Sequence, residues 1–93
     1  MKKRLRPGQI VCSSQGRDKG QYYLVFSADE NFAYLCDGEA KKLDNPKKKN
    51  IKHIKPTKLG STIIARKLKE NKKINDQMIY HSLHEYKKRY KGS

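Results

Sequence analysis

The chain has 93 residues, of which 34% are hydrophobic and 34% are charged, so it suits one domain with an appended element and excludes two independent cores. Lys and Arg number 23 against nine Asp and Glu, and the formal net charge of +14 makes nucleic acid the expected partner of a domain this small. An anionic membrane is the rival, but a membrane-surface helix needs Trp, Phe or Leu on its apolar face, and this chain has no Trp and two Phe.

The first residues, Met1-Lys2-Lys3-Arg4-Leu5-Arg6-Pro7, look like the charged start of a signal peptide. No apolar stretch of about 7–15 residues follows them, so we expect no export and a cytoplasmic location. Nor does the sequence contain the roughly 18 consecutive apolar residues that a membrane-spanning helix needs. Cys12 and Cys36 stand alone in apolar runs without metal-ligand spacing, and we expect both to be buried, reduced core residues.

Short strand patterns separated by turns fill residues 8–55. Beta-branched and aromatic residues occupy the runs, and Gly, Asp, Asn and Pro separate them. So many short strands in so few residues predict a mainly β fold, a small and highly curved five-stranded barrel spanning residues 1–56. The predicted strands are Gln9–Ser13, Gln21–Ser27, Asn31–Cys36, Ala40–Leu43 and Asn50–Lys55.

Strand alternation in the second run leaves both faces apolar. Tyr23 and Val25 lie on one face, and Tyr22, Leu24 and Phe26 on the other. One face must fill the barrel, whereas the other is covered by a helix or offered to a partner. The sequence leaves this choice open, although core packing is the expectation for most of the aromatic side chains.

Residues 57–93 are predicted to form a helical extension packed on the barrel. Ile79, Leu83, Tyr86 and Tyr90 are spaced to share one helical stripe, and Asn75 is the predicted N-cap of that helix. A shorter helix is predicted over Ser61–Glu70. Because isolated helices this short are marginal in water, we expect both apolar faces to dock on the barrel or on each other.

The segment Gly8-Gln9-Ile10-Val11-Cys12-Ser13-Ser14-Gln15-Gly16-Arg17-Asp18-Lys19-Gly20, followed by the strand Tyr22–Phe26, resembles the KOW motif. In that motif a Gly begins a strand, a loop of the form Gly-x-x-Lys-Gly follows, and a second strand enters the barrel. Gly16 and Gly20 can adopt the positive φ that a tight loop demands, and Gly20 has no side chain to block another backbone. Arg17 and Lys19 would then point towards solvent or phosphate.

The resemblance continues through Asp37-Gly38 and the stretch from Lys41 to Ile54. Together the two parts, roughly residues 7–56, resemble a bacterial family of small KOW-domain RNA-binding proteins, itself similar to KOW-bearing large-subunit ribosomal proteins of archaea and eukaryotes. The resemblance implies an SH3-like barrel and binding to structured RNA, with ribosomal RNA or the ribosome as the expected partner. The alternative is a protein-interaction module, because KOW domains of transcription elongation factors contact polymerase.

Candidate RNA-binding residues come from the loop and from the basic second half of the barrel. Lys outnumbers Arg by 18 to five, which favours point-charge contacts to phosphate over bidentate reading of bases. Asp44 is the one acid within the basic stretch, although a solvated loop remains the alternative for the lysine run. The candidates are Arg17, Lys19, Gly20, Lys41, Lys42, Lys47, Lys48, Lys49, Lys52, His53 and Lys55.

Catalysis is not expected, since the nine acids are scattered and the sequence contains no nucleophile elbow, Walker loop or metal-ligand cluster. His81 and His84 have the i, i+3 spacing of some metal pairs, but a helical wheel places them on the polar face opposite Ile79. The sequence therefore predicts neither an enzyme nor a cofactor or metal site.

Overall fold

A computed structural model describes residues 4–90 of the chain. Within that range the fold is mainly β, with five antiparallel strands followed by two helices, as the sequence predicts. The strands are β1 (Gln9–Ser13), β2 (Tyr22–Ala28), β3 (Phe32–Cys36), β4 (Lys47–Asn50) and β5 (Ile54–Gly60), and the helices are α1 (Thr62–Lys69) and α2 (Asp76–Tyr90). A 3-10 turn, Ile51–His53, separates β4 from β5.

The strands form one open sheet in the order β4-β3-β2-β1-β5, so the predicted closed barrel is wrong. Consecutive strands β4 and β5 lie at opposite edges, joined by the three-residue 3-10 turn instead of pairing with each other. In a flat sheet these edges would lie about 19 Å apart, whereas a 3-10 turn of this length rises only about 6 Å. The sheet must therefore curl until its edges approach each other at this turn.

The last two predicted strands are also wrong, because Ala40–Leu43 is not a strand and β4 and β5 occupy other residues than predicted. Residues 40–43 form a turn, because the Asp37 carboxylate accepts hydrogen bonds from the backbone amides of Glu39 and Lys41, both at 2.8 Å. Residues 51–53 form the 3-10 turn, and β5 then continues through Pro56 to Gly60. The sheet thus extends four residues past the predicted division at Pro56, which a strand at the sheet edge tolerates.

The inner face of the curved sheet carries one of two hydrophobic clusters. Alternation along β2 places Tyr23 and Val25 on the same face, as the sequence predicts, and the structure shows that this is the inner face. The 3-10 turn closes the end of the cluster with Ile51. The buried members are Val11, Tyr23, Val25, Ala33, Leu35, Ile51 and Ile54.

The outer face of the sheet is covered by the two helices, which resolves the choice that the sequence left open. Tyr22 and Phe26 pack at the margin of this second cluster, with the Tyr22 ring 5.2 Å from that of Tyr86 on α2. Cys36 is buried here as predicted, but Cys12 is only half-buried. The buried members are Ile10, Leu24, Cys36, Ile64, Ile79 and Leu83.

Both helices begin at capping side chains close to the predicted positions. Ser61 Oγ accepts a hydrogen bond from the Ile64 amide at 3.1 Å, and Asn75 Oδ1 accepts one from the Met78 amide at 2.8 Å. Gly38, with φ of +81°, lets α2 approach closely, because an added Cβ would collide with the backbone of Asp76. Neither helix in residues 4–90 has the length and apolar character needed to cross a membrane.

Candidate nucleic-acid interface

The loop between β1 and β2 has the backbone conformation that its glycines predict. Gly16 and Gly20 have φ values of +94° and +90°. The Lys19 amide donates to the Gly16 carbonyl at 3.2 Å, which tightens the turn. A Cβ added to Gly20 would meet no heavy atom within 4 Å, so the surface at this glycine is open to an approaching backbone.

Asp18, in the middle of this loop, receives four side-chain contacts while only 12% of its own side chain is exposed. Its Oδ1 accepts hydrogen bonds from Ser13 Oγ at 2.8 Å and Lys49 Nζ at 2.9 Å. Its Oδ2 accepts one from the Tyr23 hydroxyl at 2.9 Å and lies 3.1 Å from Lys47 Nζ. Strands β1, β2 and β4 and the loop therefore meet at one carboxylate.

These contacts set the protonation states of the cluster. Burial by itself would raise the pKa of Asp18, but the hydrogen bonds from Lys49, Ser13, Lys47 and Tyr23 together outweigh it and hold that pKa well below its ordinary value. Burial, and then the hydrogen bond to Asp18, raise the pKa of Tyr23. The carboxylate is consequently ionised and the phenol neutral at physiological pH.

The loop and the lysine run, distant in sequence, are brought together by this cluster. Besides contacting Asp18, Lys49 Nζ donates to the Gln15 carbonyl at 2.9 Å. The Ser14 amide donates to the His53 carbonyl at 2.9 Å, which attaches the 3-10 turn to the same loop. We call the combined region, residues 16–20 and 47–53, the loop–β4 surface.

The lysine run forms the edge strand β4 and not a loop. Alternation along β4 turns Lys47 and Lys49 towards Asp18, leaving their side chains 30% and 10% exposed. Lys48 faces the other way, with its Nζ 4.3 Å from the centroid of the Phe32 ring. Of the three lysines, Lys48 is therefore the one most available to an external phosphate.

Most of the remaining candidates form no ion pair with a carboxylate in the described part of the chain. Within residues 4–90, the cations that form ion pairs with carboxylates are Lys47, Lys49 and Lys72. Lys41 and His53 are half-buried. The exposed candidates are Arg17, Lys19, Gly20, Lys42, Lys48, Lys52 and Lys55.

The candidates do not all belong to one surface. Arg17, Lys19 and Lys52 belong to the loop–β4 surface, whereas Lys55 lies on β5 opposite Cys12. Lys41 and Lys42 lie in the connection from β3 to β4. That connection is tied to α2, because the Leu43 amide donates to Asp76 Oδ1 at 2.7 Å.

Phe32 and Tyr34 are half-buried on β3, whereas the buried Tyr23 belongs to the core. Tyr34 is paired in register with Lys48 of β4, next to the cation–π contact of Lys48 with Phe32. These three side chains form a mixed aromatic and cationic patch at the edge of the sheet. Such a patch can stack bases and neutralise phosphate.

Asp18 is the functional neighbour that sequence reasoning missed. A signal was present, because Asp18 lies between Arg17 and Lys19 in a chain with only nine acids. The i, i+2 spacing of Lys47 and Lys49 would also place both on one face of a strand. Without the fold, nothing in the sequence brings residue 18 beside residues 47 and 49.

Comparison with known proteins finds no protein-family model and no curated protein sequence that matches the chain. In the described part of the chain, no group of three or more His, Cys, Asp or Glu side chains is placed to hold a metal ion. His81 and His84 are exposed on α2, as the helical wheel predicts, and their ring centroids lie 5.8 and 6.0 Å from that of Tyr80.

Proposed function

We propose that this protein is a cytoplasmic RNA-binding module of the KOW type, which binds structured RNA through phosphate contacts and performs no catalysis. Ribosomal RNA is the proposed class of target. The observation that carries the proposal is the loop–β4 surface, where an open glycine loop and a lysine-rich strand meet. Arg17, Lys19, Lys48 and Lys52 are exposed there without an ion-pair partner in residues 4–90.

The charge balance of this surface supports contacts to phosphate. Its one carboxylate, Asp18, is already engaged by two lysines. The exposed cations therefore keep their charge for an external partner, and a phosphate backbone is the partner that most lowers their mutual repulsion. Lysine dominates among them and contacts phosphate as a point charge, so selection should depend on RNA shape more than on base sequence.

The proposed KOW assignment has support from the backbone. Gly16 and Gly20 have the positive φ that a Gly-x-x-Lys-Gly loop needs, and β1 and β2 flank that loop as an antiparallel pair. The sheet curls because a 3-10 turn joins its two edges, which is the shape an SH3-like barrel requires. The open edge between β4 and β5 is the departure from that expectation.

The test of the proposed function is the affinity of the full chain for a structured ribosomal RNA fragment, measured across a range of salt concentrations. About five to eight phosphate contacts give a log–log slope of roughly −3.5 to −7. The triple variant Arg17→Gln, Lys19→Gln, Lys52→Gln should bind more weakly and with a shallower slope. Its control is Arg66→Gln, Lys69→Gln, Lys88→Gln, which removes the same charge from exposed helical positions.

Equal losses of RNA affinity in the two triple variants would show that the loop–β4 surface is not part of the RNA interface. An absence of RNA binding by the unmodified protein would overturn the proposed function itself. Competition with duplex DNA separates RNA binding from general attraction to polyanions, since structured RNA should compete at lower concentration.

Protein binding is the second candidate, and an exposed apolar pair favours it. Leu59 and Ile63 are 38% and 64% exposed beside a cleft that Ile10 and Tyr86 also line. Binding of a transcription or translation factor through these side chains would depend little on salt, unlike phosphate binding. The uncharged variant Ile63→Asn should then abolish factor binding and leave RNA affinity unchanged.

A further inference from the structure

A second basic region lies where the N-terminal segment meets the junction between β5 and α1. An open cleft of about 430 Å³ occurs there, and its lining residues include no Asp or Glu. None of these positions was among the sequence-based candidates. The polar side chains of the wall are Arg4, Arg6, Gln9, Thr57, Lys58, Ser61 and Thr62.

A bulge in β5 shapes this cleft. Gln9 pairs with Gly60 and Val11 with Pro56, so β5 uses more residues than β1 over the same distance. The Thr57 hydroxyl donates to the Ile10 carbonyl at 2.6 Å, and Gln9 Nε2 donates to the Thr57 carbonyl at 3.0 Å. These bonds fix the bulged backbone and hold the next residue, Lys58, in the cleft wall.

Backbone forms part of the cleft lining at two glycines. Gly8 has φ of +91°, and its carbonyl accepts a hydrogen bond from the Ser61 amide at 2.9 Å. A Cβ on Gly60 would fall 2.6 Å from that same carbonyl oxygen. Side chains are therefore excluded at both positions, and the cleft stays open to a ligand.

The charge of the cleft is uncompensated. Arg4, Arg6 and Lys58 are exposed and form no ion pair with a carboxylate in residues 4–90. Two of the five arginines of the chain line this one cleft, and the planar guanidinium is the side chain best suited to hold phosphate oxygens in pairs. The Ser61 hydroxyl already caps α1. Arg4, Arg6 and Lys58 are therefore the main source of attraction for an anion in this cleft.

We propose that this cleft holds phosphodiester groups of the bound RNA backbone, as a second contact region at the far end of β5. This inference rests on the proposed RNA-binding function and extends it. β5 begins beside the loop–β4 surface and reaches the cleft wall at Thr57 and Lys58, about 10–13 Å further along the strand. Lys52, Lys55 and Lys58 are exposed between the two regions and add positive charge there.

The test compares two triple variants of the full chain against the same structured RNA. The cleft variant is Arg4→Gln, Arg6→Gln, Lys58→Gln, and the matched control is Arg66→Gln, Arg89→Gln, Lys88→Gln. Both remove two arginines and one lysine from exposed positions, so thermal unfolding should be unchanged in both. We expect the cleft variant to lose at least tenfold in affinity and about two units of salt slope, and the control to lose less than threefold.

A second readout locates the contact without substitution. Addition of the RNA to the unmodified protein should shift the NMR amide signals of Gly8, Gly60 and Thr62. Equal affinity losses in the two variants would contradict the proposal that the cleft contacts RNA, and so would unmoved signals at these amides while RNA binds. Either result would leave the proposed RNA-binding function intact. Failure of the unmodified protein to bind any structured RNA would overturn both.

Discussion

Asp18 joins the β1–β2 loop to β2 and β4, and its side chain is only 12% exposed. Replacing it with Asn removes the charge that Lys47 and Lys49 neutralise, while the two lysines remain close together. We expect Asp18→Asn to lower the free energy of unfolding by about 1.5–3 kcal/mol. Urea denaturation measures the loss, and Asp44→Asn, at an exposed position, is the control.

The same variant has a defined pH dependence. The pKa of Asp18 is lower in the folded protein than its ordinary value of 3.8. The carboxylate therefore stabilises the fold fully at pH values above 3.8, and this stabilisation is lost as the pH falls from 3.8 towards the folded-state pKa. The difference between the unmodified protein and Asp18→Asn should stay constant from neutral pH to about pH 5 and shrink in more acidic solution. A difference that grows on acidification would contradict the ion-pair account.

The two cysteines should differ in reactivity. Burial raises the pKa of the Cys36 thiol to about 11, with Asp76 and Asp37 adding to the effect, so little of it is thiolate near neutral pH. Cys12 is half-buried. A thiol reagent should therefore modify Cys12 first in the native protein and Cys36 only on unfolding. Loss of the fast phase in Cys12→Ser, and its retention in Cys36→Ser, checks the assignment.

At the scale of the element, β4 shows where sequence patterns carry too little information. Its residues, Lys47-Lys48-Lys49-Asn50, include no apolar side chain. The alternation of apolar and polar residues that predicts a strand is therefore absent. Their extended conformation comes from pairing with β3 and from the contacts to Asp18. Both are tertiary effects. The strands β1 to β3, rich in β-branched and aromatic residues, were placed to within a residue or so from the sequence alone.

The candidate site was predictable to a similar extent. The glycine loop and the abundance of lysine are local features, and the sequence identifies both. Which lysines are engaged internally depends on strand alternation next to Asp18, and the cleft at Lys58 depends on a bulge in β5. Contacts between residues more than thirty positions apart create these features, so composition and spacing do not reveal them.

Alternation in β4 gives a prediction that separates its lysines. The double variant Lys47→Ala, Lys49→Ala leaves Asp18 nearly buried without its cationic partners, and we expect a loss of about 1–3 kcal/mol in unfolding free energy. Lys48→Ala removes an exposed cation–π contact with Phe32 and should cost at most about 1 kcal/mol. Chemical denaturation compares the variants, and equal losses would contradict the orientation of the strand.

At the scale of the whole molecule, the sheet has apolar side chains on both faces and needs the helices to cover one of them. Ile79 of α2 is fully buried against the outer face, whereas Ile63 of α1 is 64% exposed. Ile79→Ala should cost about 2–5 kcal/mol of stability through lost burial and a cavity. Ile63→Ala should change the stability by no more than about 0.5 kcal/mol. Comparing the thermal melts of the two variants therefore measures how much the buried face of the helices stabilises the fold.

Removal of both helices should have a larger effect than any single substitution. A chain cut after Gly60 keeps every strand but uncovers Ile10, Leu24 and Cys36, which α1 and α2 bury. So small a chain has no reserve of buried apolar area to offset that exposure. We therefore expect the fragment to lack a cooperative unfolding transition and to show poorly dispersed amide NMR signals. A fragment with native-like dispersion and a sharp transition would mean that the inner cluster alone specifies the sheet, and the helices would then be an appendage to an independent β domain.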